Sequence, residues 1–184
     1  MRNMLRIEDL DSESSVLADR LYGKSFPVTE RYPVECMHSF DGRYGARYRC
    51  FTDDGEFVGL AFTIDTEDMV FVSFLAVEED KRSRGYGSGM LEILKSKGKK
   101  VLLNMEPVEE GAENYDQRVR RRDFYMRNGF EENCLTTTPD GGVFMSMVCG
   151  GAVTEREIRE LYSEHPYYDL AKARAKANGH SHLR

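Results

Sequence analysis

The chain has 184 residues with 26 basic and 32 acidic side chains, and its formal net charge is −6. Its hydrophobic content of 40% is enough to bury a core, which excludes a disordered tail and favours one compact domain. A mildly acidic balance is not typical of a nucleic-acid or membrane binder, and the longest apolar run, Met69–Val77, is far shorter than the ~20 residues that span a bilayer.

The first forty residues are predicted to be largely helical. Leu5–Ile7 favours a short edge strand. Asp11 or Ser12 can cap a helix that runs to about Gly23. Ser25-Phe26-Pro27 then breaks the helix, and a second helix is predicted over roughly residues 30–40.

Antiparallel strands are predicted next. Ala46–Thr52 and Phe57–Ile64 flank the turn sequence Asp53-Asp54-Gly55-Glu56, which is typical of a β-hairpin. Met69–Val77 is continuously apolar apart from one serine. Such a run predicts a central strand that is covered on both faces.

The second half of the chain alternates helices and strands. A glycine-rich loop at Gly85, Gly87 and Gly89 separates the central strand from the next helix. The further predicted elements are a helix over about Ser88–Lys97, a strand over Lys100–Met105, a helix over about Glu113–Asn128 that Gly129 closes, and a hairpin of Glu131–Thr138 with Gly142–Val148. This order predicts an α+β domain around a mixed, mostly antiparallel sheet of six to seven strands with flanking helices.

The charged tail from Thr154 onward is predicted to be helical and to break at Pro166. We therefore expect a domain over residues 1–150 and a helical appendage over residues 151–184. The four cysteines form no CxxC or Cys/His pair, and no histidine pair has metal-binding spacing. These features favour reduced thiols, no metal site and a cytoplasmic protein.

The glycine-rich loop is the strongest functional signal. A strand that runs into glycines at the start of a helix exposes backbone N–H groups and the positive helix end, which favours a bound phosphate group. Arg82 and Arg84 can supply counter-charge, and the Ser88 hydroxyl can add a donor. No GxxxxGK[ST] string is present, and Met90 stands at the third position of a GxGxxG fingerprint, so neither a Walker loop nor a dinucleotide loop fits.

The pattern V-x4-R-x2-G-x-G, formed by Val77, Arg82, Gly85 and Gly87, resembles the acyl-CoA loop of the GNAT superfamily of N-acetyltransferases. The resemblance covers about residues 4–150, and the chain is similar to the small bacterial members of the family. It implies the GNAT fold, acetyl-CoA as co-substrate, and a sheet that splays between its fourth and fifth strands. It also implies a set of CoA-binding residues: Leu75, Ala76, Val77, Arg82, Ser83, Arg84, Gly85, Tyr86, Gly87, Ser88 and Tyr125.

A second match follows in Phe124-Tyr125-Met126-Arg127-Asn128-Gly129-Phe130, which resembles the FYxxxGF element of the same family. The resemblance implies that Tyr125 protonates the departing CoA thiolate. A phenol of pKa ~10 can serve a thiolate of pKa ~8.5 in this way. Arg118 and Arg122 share a helical face with Tyr125, so Arg118 or Arg122 is expected to lie near it and to lower its pKa. The alternative is an aromatic core residue with a satisfied hydroxyl group.

The acceptor side of the reaction is less defined. The position of the glutamate base in histone-modifying members is Phe71 here, so another proton acceptor is needed. Glu106 ends the fifth strand, and Asn104 shares its face. Glu106 is predicted either to take the proton of the attacking amine or to be a surface carboxylate or an anchor for the substrate ammonium.

The function predicted from these residues is acetyl transfer from acetyl-CoA to a primary amine of a small molecule or peptide, by direct attack in a ternary complex. No cysteine lies in a motif that would make a covalent enzyme. A catalytically silent acyl-CoA sensor of the same fold is the alternative, and a CoA-free structural or RNA-binding protein is a third. We expect no nucleic-acid or membrane partner, and a monomer or a homodimer.

Overall fold

A computed structural model describes residues 4–164 and 166–179. The strands are β1 Arg6–Asp9, β2 Ala46–Asp53, β3 Glu56–Asp65, β4 Met69–Val77, β5 Lys100–Met105, β6 Glu131–Thr137 and β7 Val143–Cys149. The helices are α1 Ser12–Ser25, α2 Val34–Phe40, α3 Tyr86–Lys95, α4 Tyr115–Arg127, α5 Glu155–Ser163 and α6 Tyr167–Ala177. Short 3₁₀ turns cover Val28–Glu30 and Glu79–Lys81.

The helix starts follow local chemistry. Asp11 caps α1, because its Oδ1 accepts from the amides of Glu13 at 3.1 Å and Ser14 at 2.8 Å. The predicted second helix begins later than expected, at Val34. Pro33 is the cause, since a proline disfavours helical geometry in the residue before it and is well placed at a helix start.

The strands of the described chain form one seven-stranded sheet in the order β1-β2-β3-β4-β5-β7-β6. Every neighbouring pair is antiparallel except β4 and β5, which are parallel. The predicted α+β class, with a mixed and mostly antiparallel sheet, is confirmed, and β4 is its middle strand.

Both faces of the sheet are covered. One apolar cluster joins the sheet to α1, α2, α5 and α6 through residues such as Leu21, Met37 and Leu170. The other joins it to α3 and α4 through residues such as Leu91 and Phe124. The C-terminal helices therefore contribute to the first cluster. The boundary predicted at residue 150 stays a prediction, and residues 180–184 of the predicted appendage lie outside the described residues.

No helix in the described ranges combines the length and the apolar character that a bilayer crossing requires.

Candidate functional site

A gap opens in the middle of the sheet between β4 and β5. The parallel pairing of these strands runs from Met69 opposite Lys100 to Val72 opposite Leu103 and ends there. At this point the pairing of β4 with β3 shifts by one residue, so Ser73 is an extra residue in β4. A β-bulge of this kind bends its strand and re-aims the side chains that follow. The splay that the sequence resemblance implies is present.

The backbone of β4 beyond the bulge offers free hydrogen-bonding groups to the gap. The amide of Glu78 donates to the carbonyl of Val58 on β3 at 2.9 Å. Backbone direction alternates along a strand, so the polar groups of Ala76 also face β3, and those of Leu75 and Val77 face the gap. The Val77 carbonyl already accepts from Arg82 Nε at 3.3 Å, so the groups left for a ligand are the Val77 amide and the backbone groups of Leu75. An extended ligand in the gap can therefore pair with β4 as an added strand would.

The glycine loop shapes the end of the gap. Gly85 has a φ of 84°, a left-handed conformation that favours glycine, and α3 starts at the next residue. The first helical bond joins the Gly89 amide to the Gly85 carbonyl at 3.0 Å. The amides of residues 86–88 precede this bond, so they are the orphan donors of the helix start. A Cβ at Gly87 would lie 3.1 Å from Phe124 Cζ, a tight contact, so the glycine lets α3 and α4 approach closely.

The gap opens into a cavity of about 1190 Å³. Its wall includes most of the residues predicted from the sequence: Leu75, Ala76, Val77, Arg82, Ser83, Gly85, Tyr86, Gly87, Ser88, Asn104, Glu106 and Tyr125. Arg84 is exposed and does not line the cavity. Tyr86 lines it, but its hydroxyl donates to Asp53 Oδ2 at 2.7 Å, which ties the start of α3 to the end of β2.

Tyr125 lies in the cavity wall opposite β4. Its ring packs against Phe124 and Phe130, with centroids 5.4 and 5.9 Å away. No hydrogen bond joins its hydroxyl group to another described residue. Burial raises the pKa of Tyr125, and the charge of Arg121 opposes this rise. The phenol is therefore protonated at neutral pH and available as a donor.

The expected neighbours of Tyr125 have other partners. Arg118 pairs with Glu106 at 3.1 Å, and Arg122 pairs with Glu132 at 2.8 Å. The prediction that Arg118 or Arg122 lowers the pKa of Tyr125 is wrong, because burial outweighs the nearby positive charge and that charge belongs to Arg121.

Glu106 and Asn104 both reach the cavity from the end of β5. The Glu106 carboxylate is held by Arg118 at 3.1 Å and by Arg121 at 3.3 Å. Asn104 Nδ2 donates to the hydroxyl of Tyr162 at 2.6 Å, while its Oδ1 is buried without a partner. Protonation of the Glu106 carboxylate must therefore compete with its ion pairs to two guanidinium groups.

Several residues at the far end of the cavity were not found from the sequence. Phe74, Phe144, Tyr167 and Arg174 all line it. Tyr167 and Arg174 come from α6, which lies in the helical appendage predicted over residues 151–184. No local signal marks them, because only the packing of α6 onto the sheet brings them to the site.

Across the described residues, no group of three or more histidine, cysteine or acidic side chains is arranged to hold a metal ion.

Residues 46–132 match the family model of the acetyltransferase (GNAT) domain. The Bacillus subtilis (strain 168) protein "Putative acetyltransferase YjbC" is 35% identical over 108 residues, which cover 56% of this chain and 54% of that protein. The chain thus matches about half the length of this curated relative.

Solved structures share the fold. A GNAT-family protein from Bacteroides thetaiotaomicron superposes with a TM-score of 0.70 at 22% identity, covering 91% of this chain and 96% of that one. The ribosomal-protein-S18-alanine N-acetyltransferase of Escherichia coli gives 0.58 at 20% identity, covering 82% and 96%. The loop geometry, the split sheet and the family match agree: residues 46–132 match a GNAT acetyltransferase domain, and the chain has the fold of the GNAT structures.

Proposed function

We propose that the protein transfers the acetyl group of acetyl-CoA to a primary amine. The observation that carries this proposal is the gap between β4 and β5, which runs from the free amides at the start of α3 to the hydroxyl of Tyr125. Related folds are known with this class of ligand: an aminoglycoside 6'-N-acetyltransferase was solved with coenzyme A and an Elizabethkingia anophelis protein with acetyl-CoA.

The described residues fit acetyl-CoA in three ways. The amides of residues 86–88 and the positive end of α3 suit a pyrophosphate group. The backbone groups of Leu75 and Val77 suit an extended pantetheine arm. The cavity of about 1190 Å³ has room for the acyl end and an acceptor together. Acetyl-CoA would supply the activated acetyl group as a thioester.

The residues would divide the chemistry between two sides of the cavity. On the β4 side, the Val77 amide faces the gap and would stabilise negative charge that develops on the thioester oxygen. On the α4 side, the neutral phenol of Tyr125 would donate its proton to the sulfur as the C–S bond breaks. Glu106, the proton acceptor predicted from the sequence, is already paired with Arg118 and Arg121.

Binding and turnover are tested separately. In a thermal-shift titration, acetyl-CoA and CoA at about 100 times the dissociation constant should add ~2.7 kcal/mol of stability, and NADH should add nothing. An absence of any shift at millimolar acetyl-CoA would refute the proposed site.

Tyr125→Phe tests the acid. The variant should lower the rate of thiol release about 10²- to 10⁴-fold while it keeps the acetyl-CoA shift. Tyr115→Phe, at the exposed start of the same helix, is the matched control and should retain full turnover. Unchanged turnover in Tyr125→Phe would refute the acid assignment. A wild-type protein that binds acetyl-CoA but acetylates no amine would support the sensor alternative.

A further inference from the structure

Two carboxylates line the main cavity within the described ranges, and their surroundings differ. Glu106 is paired with Arg118 and Arg121. Glu30, at the end of the 3₁₀ turn after Pro27, has no ion pair or hydrogen bond from its carboxylate to another described residue. Its backbone is nevertheless held, because its carbonyl accepts from Arg174 Nη1 at 3.2 Å. Glu30 is therefore a positioned carboxylate whose charged end is free.

The electrostatic surroundings of Glu30 favour a positively charged ligand. Burial raises the pKa of the Glu30 carboxyl group, and the negative charge of Glu106 raises it further. Arg121, Arg174 and Arg118 act in the opposite direction. A partly buried carboxylate without a partner is costly, and a cation placed against it removes that cost.

The cations around Glu30 are already engaged. Arg118 and Arg121 share Glu106, and Arg174 makes a two-point contact with Asp140 at 2.6 and 2.8 Å. These guanidinium groups therefore have carboxylate partners and are poorly placed to receive a second one. A ligand that carried a carboxylate beside its amino group would bring a negative charge towards Glu30.

Aromatic rings surround the space beside Glu30. Phe74 lies with its ring centroid 4.8 Å from Phe26 and 5.1 Å from Tyr32, and all three line the cavity. A side cavity of about 220 Å³ shares Glu30, Phe144 and Arg174 with the main one. Aromatic walls suit an apolar body, and their faces also attract a cation.

We propose that Glu30 binds the protonated amino group of the acceptor and removes its proton, and that the acceptor is a primary amine on an apolar body with no carboxylate beside the amino group. A small arylalkylamine and a peptide N-terminus share this chemistry. The inference rests on the proposed acetyl transfer and defines its acceptor site.

The proton and electron balance is simple. Glu30 takes one proton from the ammonium group, and the freed nitrogen lone pair forms the C–N bond with the thioester carbon. The C–S bond breaks and its electron pair goes to sulfur, which takes the proton of Tyr125. A second nitrogen proton passes to water, Tyr125 regains a proton from water, and Glu30 later releases its own. The net products are an amide, a thiol and one proton.

The test compares Glu30→Gln, Glu106→Gln and a control, Glu67→Gln, which changes an exposed glutamate in the turn between β3 and β4, away from the cavity. Thiol release is measured at saturating acetyl-CoA with 2-phenylethylamine, with Phe-Gly-Gly amide and with free phenylalanine, from about pH 4 to 9. Calorimetry of 2-phenylethylamine and Phe-Gly-Gly amide in the presence of CoA gives their binding without turnover.

We expect Glu30→Gln to lower kcat/KM about 10²-fold, to remove the acidic limb of its pH profile and to weaken amine binding at least ~10-fold. The limb arises because the base must be ionised, so activity falls as pH falls through the pKa of Glu30. The acetyl-CoA thermal shift should be the same in Glu30→Gln, the control and the wild type. Phenylalanine should be a poorer substrate than either amine by ~10-fold or more.

Each outcome decides something. Turnover of only one of the two amines supports the proposed acceptor class and shows whether the acceptor is a peptide N-terminus or a small arylalkylamine. A wild type that binds CoA but neither amine overturns the inferred acceptor class. Turnover with an unchanged pH profile and amine affinity in Glu30→Gln overturns the role of Glu30 and leaves acetyl transfer standing. Loss of the acidic limb in Glu106→Gln instead would assign the base to Glu106. Failure of acetyl-CoA to bind would overturn the proposed function itself.

Discussion

Removing the carboxylate charge of Asp140 should destabilise the protein strongly. Asp140 lies in the turn between β6 and β7, and both of its oxygens accept from Arg174 on α6. The two side chains are only 16% and 9% exposed. The guanidinium group also lies 5.0 Å from the centre of the Tyr32 ring. Asp140→Asn keeps the shape and leaves this buried cation without its counter-charge.

Breaking a buried pair in this way costs about 3–5 kcal/mol. For a chain of this size, each kcal/mol lowers the melting temperature by about 2–4 °C, so the expected fall is about 6–20 °C. Urea unfolding followed by circular dichroism gives the free energy of unfolding directly. Glu160→Gln is the control, because its partner Arg156 is 83% exposed and such a pair is worth about 0.5 kcal/mol or less.

The pH dependence provides a second check on the same pair. Burial alone would raise the pKa of Asp140, but the hydrogen bonds and charge of Arg174 outweigh it and hold the pKa below its usual value. A carboxyl group with a depressed folded pKa stabilises the fold above its unfolded pKa, and this contribution is lost as pH falls through the folded value. The difference between wild type and Asp140→Asn should therefore narrow below about pH 4. A loss no larger than that of Glu160→Gln, or a difference that does not change with pH, would refute this reasoning.

Two further changes test the glycine loop and an ion pair on α5. Gly85→Ala and Gly98→Ala each force an alanine into a left-handed conformation with open space around it, so each variant should lose about 1–2 kcal/mol of stability. Only Gly85→Ala should weaken acetyl-CoA binding in a thermal-shift titration. Equal affinities of the two variants for acetyl-CoA would show that the glycine loop does not bind this ligand. Hydrogen bonds from Thr154 and Lys100 lower the pKa of Glu157 to about 2. The free energies of unfolding of wild type and Glu157→Gln, measured as a function of pH, should therefore differ at neutral pH and converge as pH falls from about 4.5 towards 2. Curves that stay apart at pH 2 would contradict this assignment.

The glycine loop was predictable because its signal is local. Gly85 is needed for a left-handed turn and Gly87 for close packing, and both follow an apolar strand directly in the chain. The same holds for the turns around Gly55 and Gly141, where hairpins begin and end within a few residues. Such features depend on neighbours in sequence, so residue type and spacing are sufficient to identify them.

The acceptor end of the cavity was not predictable in this way. In the sequence, Glu30 stands at the start of the predicted second helix. Its free carboxylate is defined by what the other charges nearby are bound to. Arg174 contacts Asp140 across 34 residues and Glu30 across 144 residues. Contacts of this kind depend on which helix packs on which face of the sheet.

The sequence by itself determined the strands, most of the helices, the glycine loop and the motif that holds Tyr125, because hydrophobic periodicity, turn residues and short motifs act over a few residues. The tertiary structure alone decided where β4 leaves β5, since the extra residue at Ser73 shows only in the register between strands. It also decided that Glu106 is engaged and Glu30 is free, because the partner of a charge is chosen by packing between segments far apart in the chain.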